Sequence, residues 1–230
     1  MRNRPDSLML FAAGFGTRMG ALTADRPKPL IPVAGRALID HALELVRGAG
    51  IGRTVANLHY RGAQIRDHLA GQDILFSEEQ PDILETGGGL RAALPLLGPG
   101  PVFTLNTDAV WTGPNPLLTL REGWHGGMGA RLLLAPLAQT RGHGPKGDFT
   151  LHPDGRITRG GDMVYLGAQI LDPTGLQTIP DPAFSLNRLW DRQIAAGQAF
   201  GALHPGLWCD VGRPEGIDQA EAMLREGADG

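Results

Sequence analysis

Residues Leu8 to Pro32 read LMLFAAGFGTRMGALTADRPKPLIP, and this stretch decides the fold. Leu8 to Ala13 is a short apolar run of the length of a buried strand. It empties into Ala12-Ala13-Gly14-Phe15-Gly16-Thr17-Arg18, a loop of small residues that ends on an arginine. Pro27-Lys28-Pro29 follows, a lysine whose flanking prolines stiffen the backbone around it. A strand running into a glycine loop opens an α/β unit, and in open α/β sheets ligands sit beyond the carboxyl ends of the strands. Glycine has no Cβ, so the loop's N–H groups can approach phosphate oxygens. Arg18 and Lys28 supply fixed positive charge against the negative charge that builds in phosphoryl chemistry. The loop is neither a Rossmann fingerprint, since the third glycine is missing at its offset, nor a Walker A loop, since no Gly-Lys-Ser/Thr follows.

Outward from this stretch, strand-like and helix-like segments alternate. Strands are expected at Leu8–Ala13, Thr54–His59, Ile74–Ser77, Val102–Asn106, Ala130–Leu137 and Met163–Leu171. Helices are expected at Ala37–Val46, Ala63–Leu69, Gly88–Leu97, Leu117–Trp124, Leu186–Ala196 and Glu215–Arg225. Asp148 to Ile157 reads as a hairpin around Pro153-Asp154-Gly155, and Ala199 to Val211 as extended chain. The alternation predicts an α/β fold, a Rossmann-like and mostly parallel sheet with helices on both faces. At 230 residues one domain is expected, with a nucleotide-binding half over about 1–110 and a sugar-binding half over about 111–230. Gly 34 and Pro 18 fall just short of low-complexity composition and punctuate clear apolar segments, so they read as tight turns. No repeat or linker interrupts the chain, and no separate assembly domain is apparent, so a monomer is expected.

The charge balance sets limits on partners. A net charge of −3 carries no global basic field, which argues against nucleic acid and leaves room for a local cationic cleft holding one nucleotide. The single cysteine, Cys209, excludes an intrachain disulfide and a zinc-thiolate cluster and fits a reducing compartment. The apolar run near the N-terminus is too short to span a membrane and leads into GFGTRMG rather than a cleavage site. A cytoplasmic protein with no membrane partner is expected.

Two acids stand out. Asp108 ends the strand VFTLN, and Asp210 is embedded in Trp208-Cys209-Asp210-Val211-Gly212. A buried carboxylate is costly unless paired or metal-bound, so two acids meeting at the strand ends would make a Mg²⁺ site completed by phosphate and water oxygens. Each alone reads as a cap or turn residue. In Glu85-Thr86-Gly87-Gly88-Gly89, Thr86 reads as a plain N-cap and the glycines, equally, as a place for a flat base or sugar. Gly142-His143-Gly144-Pro145-Lys146-Gly147-Asp148 reads as a loop suited to covering a substrate, or as an ordinary exposed turn.

With these residues in place, the chain resembles the sugar-phosphate nucleotidyltransferases, the NDP-sugar pyrophosphorylases. The resemblance rests on Ala12 to Arg18, Pro27 to Leu30 and Pro32 to Gly35, and it continues to Asp210-Val211-Gly212. Within that family it looks most like the short uridylyltransferases of peptidoglycan recycling and cell-wall metabolism that act on N-acetylmuramate 1-phosphate. Glu85 to Gly89, Asn106 with Asp108 and Trp111, and Gly147-Asp148-Phe149 carry that likeness. The resemblance implies a transferase of a nucleotidyl group from an NTP, expected to be UTP, to a sugar 1-phosphate; the alternatives are another NTP with another sugar or polyol phosphate, as in mannose-1-phosphate guanylyltransferases, and a non-catalytic nucleotide-sugar-binding subunit. Arg18 and Lys28 would be catalytic and touch the triphosphate. Ala13, Gly14, Phe15, Gly16 and Thr17, with Glu85, Gly87 and Gly88, would bind the nucleotide. Asn106, Asp148 and Gly167 would lie near the sugar phosphate, and Asp108 and Asp210 would hold the Mg²⁺ cofactor. The chain departs from the family pattern at Thr107, where glycine is usual before the metal-binding aspartate.

Overall fold

A computed structural model describes residues 4–228. In chain order the elements are β1 (Ser7–Phe11), the small hairpin β2 (Pro32–Val33) and β3 (Arg36–Ala37), α1 (Leu38–Gly48), β4 (Arg53–Leu58), α2 (Gly62–His68), β5 (Ile74–Glu78) and α3 (Glu85–Leu97). Then come β6 (Val102–Asn106), β7 (Ala109–Trp111), α4 (Pro116–Glu122), β8 (Ala130–Pro136), β9 (Thr140–Arg141), the hairpin β10 (Phe149–Leu151) and β11 (Ile157–Arg159), and β12 (Met163–Leu171). The described chain closes with α5 (Asn187–Ala195), β13 (Ala199–Leu203), β14 (Trp208–Asp210) and α6 (Glu215–Ala228).

The centre of the sheet is the parallel run β6-β1-β4-β5, the arrangement the alternating pattern implies. Beyond β6 the sheet continues through β12, which runs antiparallel to both β6 and β8, while β13 lies parallel to β8. The alternation of side chains along β1 sorts the helices onto two faces. Leu8 and Leu10 belong to a core shared with Ile39, Ala42 and Leu43 of α1, Ile65 of α2 and Leu117 and Leu120 of α4. Met9 points the other way, into a core with Leu90 and Ala93 of α3 and Leu189 and Trp190 of α5. A third, smaller core packs Met223 and Ala220 of α6 on Val110, Cys209 and Val211.

Two features position the site. A second sheet, β7-β14-β9, stands beside the end of β6, and in it Ala109 pairs with Asp210. The N–H of Val211 donates to the carbonyl of Asp108 at 2.8 Å. Two acids distant in sequence are thereby brought to one point by backbone pairing. The register of β12 also breaks between Tyr165 and Gln169, a bulge that contains Gly167 at φ 75°. Bulges of this kind re-aim side chains next to functional sites.

Candidate active site

The ends of β1, β4, β5 and β6 open into a cleft of about 210 Å³. Its walls include Ala12, Ala13 and Gly14 from the first loop, Lys28, Glu85, Thr86, Asn106, Thr107 and Asp108. Lys28 Nζ donates to Asp108 Oδ2 at 2.8 Å. The lysine side chain is only 10% exposed, so this pair is held in place rather than solvated on a surface.

The sequence order Gly16…Lys28 has a packing reason. Gly16 is left-handed at φ 64°, and a Cβ there would come within 2.9 Å of Lys28 Cβ. Thr23 Oγ1 donates to the Gly16 carbonyl at 3.1 Å and closes the turn. Between them Thr17–Thr23 forms a 3₁₀ segment that places Arg18 in its first turn, exposed to solvent. The loop and the lysine are one packed unit. Gly14 differs: a Cβ there would meet nothing within 4 Å, so its outer side opens on space. Phe15 is turned outward, edge-on to His59 with ring centroids 5.2 Å apart, and is not part of the cleft wall.

Asp210 faces Asp108. Its burial first, and then the charge of Asp108, push its carboxyl up to about 6, while Lys28, Arg18 and His143 pull it down. The arrangement is a pair of hard oxygen donors that repel each other and lie within the field of three basic side chains, which fits a divalent cation between them. Among the described residues no group of three or more His, Cys, Asp or Glu side chains gathers as a metal centre, and these two carboxylates are the pair that would hold a cation here. Thr107, the departure from the family pattern, is 2% exposed and donates from Oγ1 to the Phe11 carbonyl at 2.7 Å. The hydroxyl ties the end of β6 to the end of β1 beside Asp108.

On the other flank, Asp148 Oδ2 accepts from the Tyr165 N–H at 2.9 Å, and the Asp148 N–H donates to the Met163 carbonyl at 2.7 Å. Asn106 packs on the bulge, where a Cβ on Gly167 would stand 3.0 Å from Asn106 Nδ2. Asn106, Gly167 and Asp148 thus come from neighbouring parts of β6, β12 and the turn that β12 holds.

Gly87 and Gly88 do something other than line the cleft. Their N–H groups both donate to the Phe184 carbonyl, at 2.8 and 3.1 Å. A Cβ on Gly87 would lie 2.3 Å from the Phe184 ring, and one on Gly88 2.4 Å from the Pro182 carbonyl. The expected cradle is filled by the chain's own segment Pro182–Phe184, and these glycines dock that segment onto α3. Glu85 and Thr86, immediately before them, are in the cleft wall. Glu85 adopts φ 57°, unusual for a residue other than glycine, at the mouth of the site.

Sequence reasoning missed Asn57 and Glu79. Asn57 Oδ1 accepts from the Ala12 N–H at 2.7 Å, and Asn57 Nδ2 donates to Glu79 Oε1 at 2.6 Å. Glu79 Oε2 accepts from the Leu84 N–H at 2.7 Å, and Glu79 is fully buried. Two side chains therefore link the phosphate loop to the residue before Glu85. An asparagine inside the apolar run TVANL was the available signal, because a polar side chain there needs a buried partner.

The glycine loop, Lys28, Asp108 and Asp210 are thus gathered at one set of strand ends. The MobA-like NTP transferase domain family matches residues 8–146, and the chain belongs to that family of nucleotidyltransferases. It is 39% identical to the N-acetylmuramate alpha-1-phosphate uridylyltransferase of Caulobacter vibrioides, over 98% of this chain and 100% of the relative. It is 34% identical to the protein of the same name from Neisseria meningitidis serogroup B, over 94% of this chain and 96% of the relative. A UDP-glucose pyrophosphorylase solved with UDP-glucose shares the fold, with a TM-score of 0.80 at 16% identity over 96% of this chain and 99% of that one. No helix among the described residues is long and apolar enough to cross a membrane.

Proposed function

We propose that this nucleotidyltransferase transfers the uridylyl group of UTP to N-acetylmuramate 1-phosphate, giving the UDP-sugar and pyrophosphate. The observation that carries the reading is the meeting of the Lys28–Asp108 pair with Asp210 at the strand end beside the Gly14–Arg18 loop. The similarity along nearly the whole chain to two uridylyltransferases named for that sugar supports the choice of substrates. A phosphate oxygen of the sugar attacks the α-phosphorus in line, and the bond to the β-phosphate oxygen breaks as pyrophosphate leaves. No covalent bond to the protein is needed, so catalysis is positioning and charge neutralisation.

In this reading the N–H groups of Ala13 to Thr17 receive the triphosphate over the open side of Gly14. Lys28, released from Asp108, contacts the α-phosphate. Arg18 holds the departing pyrophosphate. Glu85 and Thr86 form the wall against the nucleoside, with Asn57 and Glu79 fixing its distance from the loop. Asn106, Gly167 and Asp148 take the sugar. Asp108 and Asp210 would hold Mg²⁺, which when bound would supply positive charge against the charge that builds during phosphoryl transfer. Such a reaction draws on the cytoplasmic NTP pool, and its substrate is a sugar recovered from the cell wall.

Purified protein with UTP, Mg²⁺ and N-acetylmuramate 1-phosphate is expected to release pyrophosphate and form one UDP-sugar. A panel of NTPs against hexose 1-phosphates checks the assignment. A higher kcat/KM with GTP and mannose 1-phosphate would replace the substrates, and no turnover with any pair would overturn the reading.

A further inference from the structure

The loop Gly142–Gly147 leads away from β9 and returns to Asp148. Because β9 pairs with β14 through Thr140–Trp208 and Arg141–Cys209, the next residue, Gly142, comes against Asp210. A Cβ at Gly142 would lie 2.1 Å from the Asp210 carbonyl, so this close approach requires glycine. The loop is therefore seated on the acid of the metal side rather than projecting freely.

The next residue is His143. Its Nε2 donates to the Lys146 carbonyl at 3.1 Å, which folds the loop back on itself. The same nitrogen stands 3.9 Å from Asp148 Oδ2, and the ring centroid is 6.2 Å from that of Trp208. His143 is also one of the groups that ease the ionisation of Asp210. Its side chain is 23% exposed, and Nδ1 has no hydrogen-bond partner among the described residues. It occupies the interval between the acid that faces Asp108 and the acid anchored beside the sugar wall.

The reaction proposed above places a phosphate in that interval, because the sugar's phosphate must join the ring to the reacting α-phosphorus. Asp210 is assigned with Asp108 to the cation, but Asp148 is not, and that phosphate would lie beside the Asp148 carboxylate, where like charges repel. In that reading Lys28 leaves Asp108 for the α-phosphate of the nucleotide, and Arg18 belongs to the 3₁₀ segment on the nucleotide side, so neither is assigned to the sugar's phosphate. We propose that His143 binds the 1-phosphate of the sugar substrate, its Nε2–H turning from the Lys146 carbonyl to a phosphate oxygen and so separating the phosphate from Asp148. This rests on the uridylyltransferase reading and adds a substrate-binding residue to it.

The test separates the two substrates. In calorimetric titrations, His143→Ala is expected to weaken binding of the UDP-sugar, whose β-phosphate is the former sugar phosphate, by about tenfold or more. Affinity for UTP stays within about twofold. In steady-state kinetics the KM for the sugar 1-phosphate rises while the KM for UTP does not. Should the alanine variant have a lowered melting temperature, two further variants decide. His143→Gln, which keeps an N–H donor, retains most of the affinity, and His143→Phe, which keeps bulk alone, does not. Unchanged UDP-sugar affinity in both His143→Ala and His143→Phe, with an active wild type, overturns the role of His143 alone. A wild type inert toward every sugar phosphate overturns the reading beneath it as well.

Discussion

At the scale of single residues, the site holds acids in positions that the fold alone would not choose. Asp210 carries the clearest cost: burial and the facing charge of Asp108 hold its carboxyl up to about 6, well above the ordinary 3.8. A carboxyl raised on folding resists ionisation, so its penalty is absent below about pH 4 and fully present above about pH 6. Without divalent cations, Asp210→Asn is therefore expected to be more stable than the wild type at pH 8, by about 1–2 kcal/mol, and little different at pH 4. Urea unfolding in chelator at the two pH values measures this, and equal midpoints at pH 8 would contradict it. The same variant should lose turnover by about two orders of magnitude or more, a trade of stability against activity at one side chain. Asp108, Asp210, Arg18 and Lys28 stood out in the sequence because each sits in a short motif with a chemical reason, and the structure brings them near one another. Asn57 and Glu79 were not, because an isolated amide and an isolated acid acquire meaning only when three strand ends converge.

At the scale of elements, the link from Ala12 through Asn57 and Glu79 to Leu84 spans the ends of β1, β4 and β5. Glutamine at 79 would present an amide to one of two donors, Asn57 Nδ2 or the Leu84 N–H, and leave that donor without an acceptor. Under the proposed function, Glu79→Gln is thus expected to raise the KM for UTP about tenfold and to leave the KM for the sugar phosphate unchanged, because the residues assigned to the sugar lie on and beside β6 and β12. Equal rises in both constants would instead indicate a loosened sheet. The regular elements were readable from periodicity: Val102–Asn106 and Met163–Leu171 coincide with β6 and β12. The pairing of β12 was not, since nothing local to that apolar run says that it will lie antiparallel between β6 and β8. The short strands β7 and β9 were also missed, being three and two residues long, too short for a period to register. The docking role of Gly87 and Gly88 was not readable for a related reason. Small residues at a helix start look alike whether they receive a ligand or, as here, the chain's own Phe184.

At the scale of the molecule, the central sheet is built from both ends of the sequence. The strands β1, β4, β5 and β6 come from the first half and β8 and β10–β13 from the second, and β6–β12 is the seam. The acids of the site straddle that division, Asp108 before it and Asp210 after it. A single cooperative transition is expected in calorimetry, with the calorimetric and van't Hoff enthalpies in agreement. Two resolved transitions would mean that the halves melt apart. The whole chain carries a net charge of −3, so a phosphate approaches a mildly repulsive body. It then finds the best-fixed cation of the cleft, Lys28, already closed on Asp108 at 2.8 Å. An anion arriving alone must break a half-sheltered pair and strand a carboxylate. In the proposed reading, one that travels with its own divalent cation would exchange that pair for two, the lysine pairing with phosphate and the acids holding the cation. The empty enzyme is in this sense locked by its own counterion, and the key is a charged composite. Free inorganic phosphate lacks half of it.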